Sequence, residues 1–201
     1  WNFEQSRTTA ENEWEKELSK IQVEGGTREQ NVIFYTALYH ALLHPNVVND
    51  INGEYLALGT KEIKKLPSDR RNHYSIYSLW DTYRNLHPLL TLVYPERQSE
   101  MVKTMLDMYK TSGFLPKWEI TASESYTMVG DPACPVITDT YLKGIRNFDV
   151  NMALEAMKKS SDLIEDNPIR PGNEAYNEFG YLPFDHSNAA DCWGVAASTL
   201  E

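Results

Sequence analysis

Between Tyr77 and Leu89 the chain places an indole, a carboxylate, a guanidinium and an imidazole in close succession: Trp80, Asp81, Arg84 and His87. Proteins hold sugars with such groups. An indole covers the C–H face of a pyranose, a carboxylate accepts from neighbouring hydroxyls, and an arginine fork donates to ring substituents or holds the carboxylate in place. On a continuous helix of about 3.6 residues per turn, Trp80, Arg84 and His87 share a face, and Asp81 lies beside Arg84 at i, i+3. The same spacing suits a buried Asp81–Arg84 ion pair beneath a core tryptophan, so spacing alone leaves both readings open.

The tract Ser78-Leu79-Trp80-Asp81-Thr82-Tyr83-Arg84, with His87-Pro88-Leu89, resembles a signature of family 92 of the glycoside hydrolases, the calcium-dependent α-mannosidases. Further matches follow in that family's order: the helix Phe34 to His40, the loop Asp50 to Tyr55, Gly113-Phe114-Leu115-Pro116-Lys117-Trp118, Met128 to Asp131, Asp139 through Lys143-Gly144-Ile145, and Gly180-Tyr181-Leu182-Pro183. The stretch from Phe184 to Ala197, which carries Cys192, departs from the pattern. The resemblance implies a calcium-dependent, inverting exo-α-mannosidase acting on mannose-containing glycans, with α-1,2 linkages the first expectation, exported to the periplasm or cell surface. It implies that Trp80, Asp81, Arg84, His87, Trp118 and Asp131 bind the substrate. It places the general acid, the base and most calcium ligands beyond Glu201, so no catalytic or metal-binding residue is assigned and the isolated segment is expected to be inactive.

Composition bounds the alternatives. Acidic residues exceed basic ones by 29 minus 19, a formal charge of −10. No basic stripe offers a nucleic-acid surface, and no apolar run approaches the roughly 20 residues that span a bilayer. With 41% hydrophobic and 11% aromatic residues, the chain can fill a core. Cys134 and Cys192 lack zinc-ligand spacing and read as buried thiols; His40, His44, His73, His87 and His186 show no metal pattern. Asp50-Ile51-Asn52-Gly53-Glu54 lacks the glycine and distal glutamate of a calcium loop and reads as a turn. Neither a phosphate-binding glycine loop nor a nucleophile elbow occurs.

These residues must be held by helices, because helical periodicity dominates and no alternating strand pattern competes with it. The fold class expected is all-α, with helical hairpins forming part of an (α/α)6 toroid. Residues 1–201 would make about three hairpins of it, without the rest of the ring or any β-sandwich domain. Thr8-x-x-Glu11 and Thr27-x-x-Gln30 read as capping boxes, the second opening a helix that Pro45 ends. A third helix is expected from Tyr77 to Val93, and a fourth from Pro95 to the Gly113 stop, with Met101, Met105, Leu106 and Met108 as a core stripe. A fifth begins near Pro135 and stops before Asp149, which caps a sixth carrying Met152, Leu154, Ala156 and Met157. Asp139 is expected to complement a helix end. Gly53, Gly113 and Gly180 open similar loops after successive hairpins, and Ser198-x-x-Glu201 reads as a capping box at the start of a further helix. A segment of a ring exposes apolar flanks, so self-association of the excised chain is expected. A helical scaffold binding protein through its concave face is the rival reading.

Overall fold

The computed structural model describes residues 1–162, 167–170, 172–181 and 183, which form two compact units, Trp1–His44 and the remainder from Pro45. Cys192, His186, Leu182 and Ser198–Glu201 lie outside the described residues.

The first unit is a helical hairpin. Its first helix, α1 (Phe3–Leu18), starts at Asn2, whose side chain accepts from the Gln5 amide at 3.2 Å. Thr8 therefore lies inside the helix instead of capping it. The second, α2 (Arg28–Ala41), opens on the expected box: the Thr27 hydroxyl accepts from the Gln30 amide and the Gln30 side chain accepts from the Thr27 amide. It ends before Pro45. Trp14 packs edge-on against Tyr39 at 4.6 Å between the helices, while Val32 and Ile33 remain exposed on α2.

The second unit mixes helices with short strands. In chain order it runs β1 (Asn46–Val47), β2 (Glu54–Leu56), β3 (Ile63–Lys65), β4 (Tyr74–Ser75), β5 (Tyr77–Ser78), α3 (Leu79–Thr82), α4 (Leu86–Val93), α5 (Pro95–Ser112), β6 (Trp118–Ile120), β7 (Ser123–Glu124), α6 (Ala133–Leu142), α7 (Val150–Ser160) and α8 (Asn173–Phe179). The strands pair antiparallel as β1 with β4, β2 with β3, and β5-β6-β7. Helices dominate as expected, but the segments between them pair as strands two or three residues long, too short to leave an alternating pattern in the sequence. The Asp50–Glu54 segment is a turn, closed by the Gly53 amide on the Asp50 carbonyl at 2.8 Å.

The long amphipathic helix α5 forms the core. Pro95 opens it, Gly113 stops it in a left-handed conformation, and Met101, Val102, Met105, Leu106 and Met108 are buried along it. Helices α4, α6 and α7 pack around it. Asp149 caps α7 by accepting from the Met152 amide, as its sequence suggests, but α7 buries Ala153, Ala156 and Ser160 and leaves Leu154 exposed. Of the three glycines with similar following sequence, Gly113 and Gly180 end helices, whereas Gly53 lies in the turn before β2.

The expected helix from Tyr77 to Val93 is broken. Its start is strand β5, and Tyr83 to Asn85 separate α3 from α4. Pro88 supplies the reason: inside an unbroken helix its ring would collide with the Arg84 carbonyl and its missing N–H would leave a gap, whereas in the first turn of α4 neither cost arises. Among the described residues no helix is long and apolar enough to cross a membrane.

Met105 is fully buried and Leu154 is 49% exposed. Met105→Ala is therefore expected to cost about 2–5 kcal/mol and Leu154→Ala under about 1 kcal/mol, read from urea melts of the 201-residue chain.

Candidate functional site

The break after α3 determines what the sugar-type side chains can reach. Leu79 is buried and anchors α3, while Asp81 and Arg84 are exposed and Trp80 is half-buried. The Arg84 guanidinium lies over the Trp80 ring at 4.5 Å and over the Tyr83 ring at 4.8 Å. No ion pair joins it to Asp81 among the described residues, so the buried Asp81–Arg84 bridge that spacing allows does not form. Asp81 keeps its acceptor oxygens open to solvent.

Trp118 is brought to the same place by the sheet. It opens β6 and pairs with Ser78, two residues before Trp80, so two half-buried tryptophans lie on neighbouring stretches of backbone. The loop after β6 is tied back to it. Glu124 accepts from the amides of Lys117 and Trp118 at 2.8 Å each and from the Tyr126 amide at 2.9 Å, and the Ser125 hydroxyl donates to the Trp118 carbonyl at 2.9 Å. Beneath them Glu119 is completely buried. Its carboxylate accepts from the Ser75 hydroxyl and the amides of Ile76 and Ala122. Burial raises its pKa above the ordinary carboxylate value, and those three hydrogen bonds oppose the rise.

Asp131 lies on the turn into α6 and is buried. One Arg170 nitrogen, Nη2, reaches both its oxygens at 3.0 Å, and the Cys134 thiol lies 3.5 Å away. The pair lines an open cleft of about 510 Å³ together with Tyr83, Cys134, Thr138 and Lys158. Tyr83 thus touches both groups of residues: it carries the Arg84 guanidinium and forms part of the wall beside Asp131. Burial pushes the Cys134 thiol well above its usual range, with the Asp131 charge adding to the effect. It is a free thiol and, at neutral pH, a protonated one.

His87 stands apart from these residues. It is 1% exposed, with Nδ1 2.9 Å from the Gln98 side-chain oxygen, while the Gln98 amide nitrogen donates to the Thr140 hydroxyl at 2.9 Å and that hydroxyl donates to the Val136 carbonyl. This relay joins α4, α5 and α6. Burial lowers its pKa to about 4, against an opposing contribution from Gln98. Asp139 is also elsewhere: it lies in the last turn of α6, where it pairs with the C-cap residue Lys143 at 2.7 Å, and so does not serve the helix N-terminus.

Arg84 lies over Trp80, backbone pairing sets Trp118 beside Ser78 just before them, Asp131 lines a cleft that includes Tyr83, and His87 is interior. Sequence reasoning missed Tyr83 and Arg170 as lining residues and Glu119 as the group beneath. Tyr83 could have been found as the ring following Trp80 and preceding Arg84. Arg170 lies in a short segment with no pattern of its own, and its partner is 39 residues away.

Residues 1–201 match the family model described as the glycosyl hydrolase family 92 catalytic domain. The chain is similar to the family GH92 α-mannosidase BT3965 of Bacteroides thetaiotaomicron, at 36% identity and a TM-score of 0.81, covering 92% of this chain and 24% of that one. That protein's structure has also been determined with mannoimidazole. The inverting GH92 mannosidase BT2199 of the same species is 30% identical, with a TM-score of 0.80, over 92% of this chain and 25% of its own. An uncharacterised secreted glycosidase of Arthroderma benhamiae is 26% identical over 189 residues, 91% of this chain and 20% of that protein. The chain spans about a quarter of the length of the related structures and a fifth of the fungal protein.

His73 is buried like His87, and burial lowers its pKa to about 4 as well. Both resist protonation in the folded chain, whereas in the unfolded chain they take up protons below about pH 6.5. Stability is accordingly expected to fall as pH drops from about 6.5 to 4, by up to about 1.4 kcal/mol per pH unit for each histidine. Urea melts across that range check it, and His87→Gln should remove about half of the slope.

Proposed function

The chain belongs to glycosyl hydrolase family 92, and on that premise we propose that it is part of the catalytic domain of an exo-α-mannosidase, supplying one wall of the pocket for the terminal sugar. In this reading residues 1–201 are a portion of an (α/α)6 ring, and the general acid and base come from other parts of the same protein. The observation that carries it is the exposed Asp81, without a protein partner among the described residues, beside a half-buried Trp80 and with Trp118 paired to Ser78.

A carboxylate of that kind retains its capacity to accept from two adjacent hydroxyls, and charge-assisted bonds of this type fix orientation. The indoles supply apolar faces for a pyranose ring, and Arg84 can turn from the Trp80 face to donate to ring oxygens. Asp131, with both oxygens already held by Arg170, serves as a fixed charged wall of the adjoining cleft. His87 acts through the packing of α4 on α5.

Inverting hydrolysis needs an acid to protonate the leaving oxygen and a base roughly 6.5–9.5 Å away to activate water. No pair in this chain is assigned to those tasks. Calcium, implied by the resemblance, is also given no step: among the described residues no three His, Cys, Asp or Glu side chains gather as a metal site, so these residues do not by themselves fit the ion. Export to the periplasm or cell surface is the proposed destination, and the fungal relative described as secreted supports an extracellular location. Mannose-containing glycans are the proposed substrates, with α-1,2-linked mannose the first to test. The exposed apolar side chains Val32, Ile33, Leu92 and Leu142 favour self-association of the isolated chain.

In the full-length protein, Asp81→Ala is expected to lower kcat/KM on α-linked manno-oligosaccharides by about ten- to hundredfold, the equivalent of roughly 1.5–3 kcal/mol. Asp139→Ala, which removes only a helix-surface pair, should stay within about threefold. Equal losses at the two positions, or an activity loss at Asp81 matched by loss of thermal stability, would sink the sugar-binding role. The 201-residue chain alone is expected to release no mannose with or without calcium. Chelator-sensitive turnover by it would place the catalytic carboxylates within these residues.

A further inference from the structure

Three residues that bear side chains adopt left-handed backbone around β5 and β6: Ile76 (φ 64°), Thr121 (φ 51°) and Ala122 (φ 62°). That conformation is costly for any residue with a Cβ and most of all for a β-branched one such as isoleucine. Their amides converge on one carboxylate, Ile76 and Ala122 directly and Thr121 through the Ser75 hydroxyl. Glu119 Oε2 accepts from the Ile76 amide at 3.0 Å; Oε1 accepts from the Ala122 amide at 2.6 Å and from the Ser75 hydroxyl at 2.9 Å; and the Ser75 oxygen accepts from the Thr121 amide at 2.9 Å. Ile76 forms the bend between β4 and β5, while Thr121 and Ala122 form the turn between β6 and β7. Glu119 is itself in β6, opposite Tyr77.

Glu119 is 0% exposed and no cation pairs with it among the described residues, so it neither reaches substrate nor serves as half of an ion pair. Its acceptor capacity goes to the backbone of the segments that carry the tryptophans. Beyond Ile76 the chain continues through β5 directly into Trp80 and Asp81, and Trp118 immediately precedes Glu119.

We propose that Glu119 is a positioning residue of the sugar pocket, holding Ile76, Thr121 and Ala122 in left-handed backbone so that Trp80 and Asp81 on one side and Trp118 on the other keep a fixed separation. This rests on the reading of that cluster as a sugar site. An apolar side chain of the same size would fill the space but leave the Ile76 and Ala122 amides buried without acceptors. Glutamine keeps the size and one acceptor oxygen, yet turns an NH2 toward at least one of the donors.

The test uses the full-length protein and α-linked manno-oligosaccharides. Glu119→Gln is expected to lower kcat/KM about tenfold and to speed hydrogen exchange at the Ile76 and Ala122 amides by about as much. Ile76→Gly, which reaches the left-handed conformation without a Cβ penalty, should be within about twofold of the parent alone and should recover most of the loss when added to Glu119→Gln. Where Glu119→Gln does not fold, Ser75→Ala removes one donor to Glu119 and the acceptor of Thr121, and a loss of about threefold is expected. Unchanged kcat/KM in Glu119→Gln, or in Ser75→Ala where that variant is used, overturns the proposal. So does a loss that glycine fails to rescue, since that assigns Glu119 a role other than holding the bend. Should Asp81→Ala be silent, the sugar-site reading itself falls; a strong Asp81 effect with a silent Glu119 variant removes only the positioning role.

Discussion

Pro88 sets the constraint on which the arrangement around α3 depends. With no amide hydrogen and a ring that excludes the carbonyl four residues earlier, it forbids a helix running through Arg84. The chain ends α3 at Thr82 and restarts at Leu86, with Pro88 in the first turn of α4. The interruption frees Trp80, Asp81 and Arg84 from a single helical stripe, and the restart turns His87 into the core, where Gln98 receives it. A side chain that shares a face with the others on paper thereby becomes part of the scaffold beneath them.

Carboxylates do an unusual share of backbone satisfaction in this scaffold. Short strands leave many amides outside any ladder, and buried amides need acceptors. Glu100 accepts from the Arg71 amide at 3.0 Å and the Asn72 side chain at 2.8 Å, Glu124 gathers the amides of Lys117, Trp118 and Tyr126, and Glu119 gathers those of Ile76 and Ala122. Part of the acidic surplus is therefore structural, holding irregular backbone rather than repelling partners. The ion pair of Arg70 with Asp107, with Arg70 also donating to Thr104 and to the Asn72 carbonyl, fixes the segment that leads into β4 in the same manner.

What could be read from sequence divides along the range of the interactions. Helix ends set by neighbours were legible: the Thr27–Gln30 box, Pro95 at the start of α5, Gly113 at its end and Asp149 before α7 all act within a turn of backbone. The strands were not, because pairs such as Tyr77 with Glu119 and Asn46 with Ser75 are chosen by tertiary contact and are too brief to show a period. Pro88 is the one residue in the expected Tyr77–Val93 helix whose type signals a break. Of the candidate site, the residue types in Trp80, Asp81, Arg84 and Trp118 were legible. The Arg170 partner of Asp131 and the Ser75 and Ile76 donors to Glu119 were not, since each is fixed by chain segments tens of residues apart.

The guanidinium over Trp80 has a thermodynamic corollary. An indole face covered by a cation at 4.5 Å is already partly withdrawn from water, so a flat ligand that takes its place exchanges one stacked partner for another and dehydrates little new apolar surface. Heat-capacity change scales with apolar area removed from water. Occupation of that face therefore carries a smaller negative heat-capacity change than stacking on an uncovered indole would.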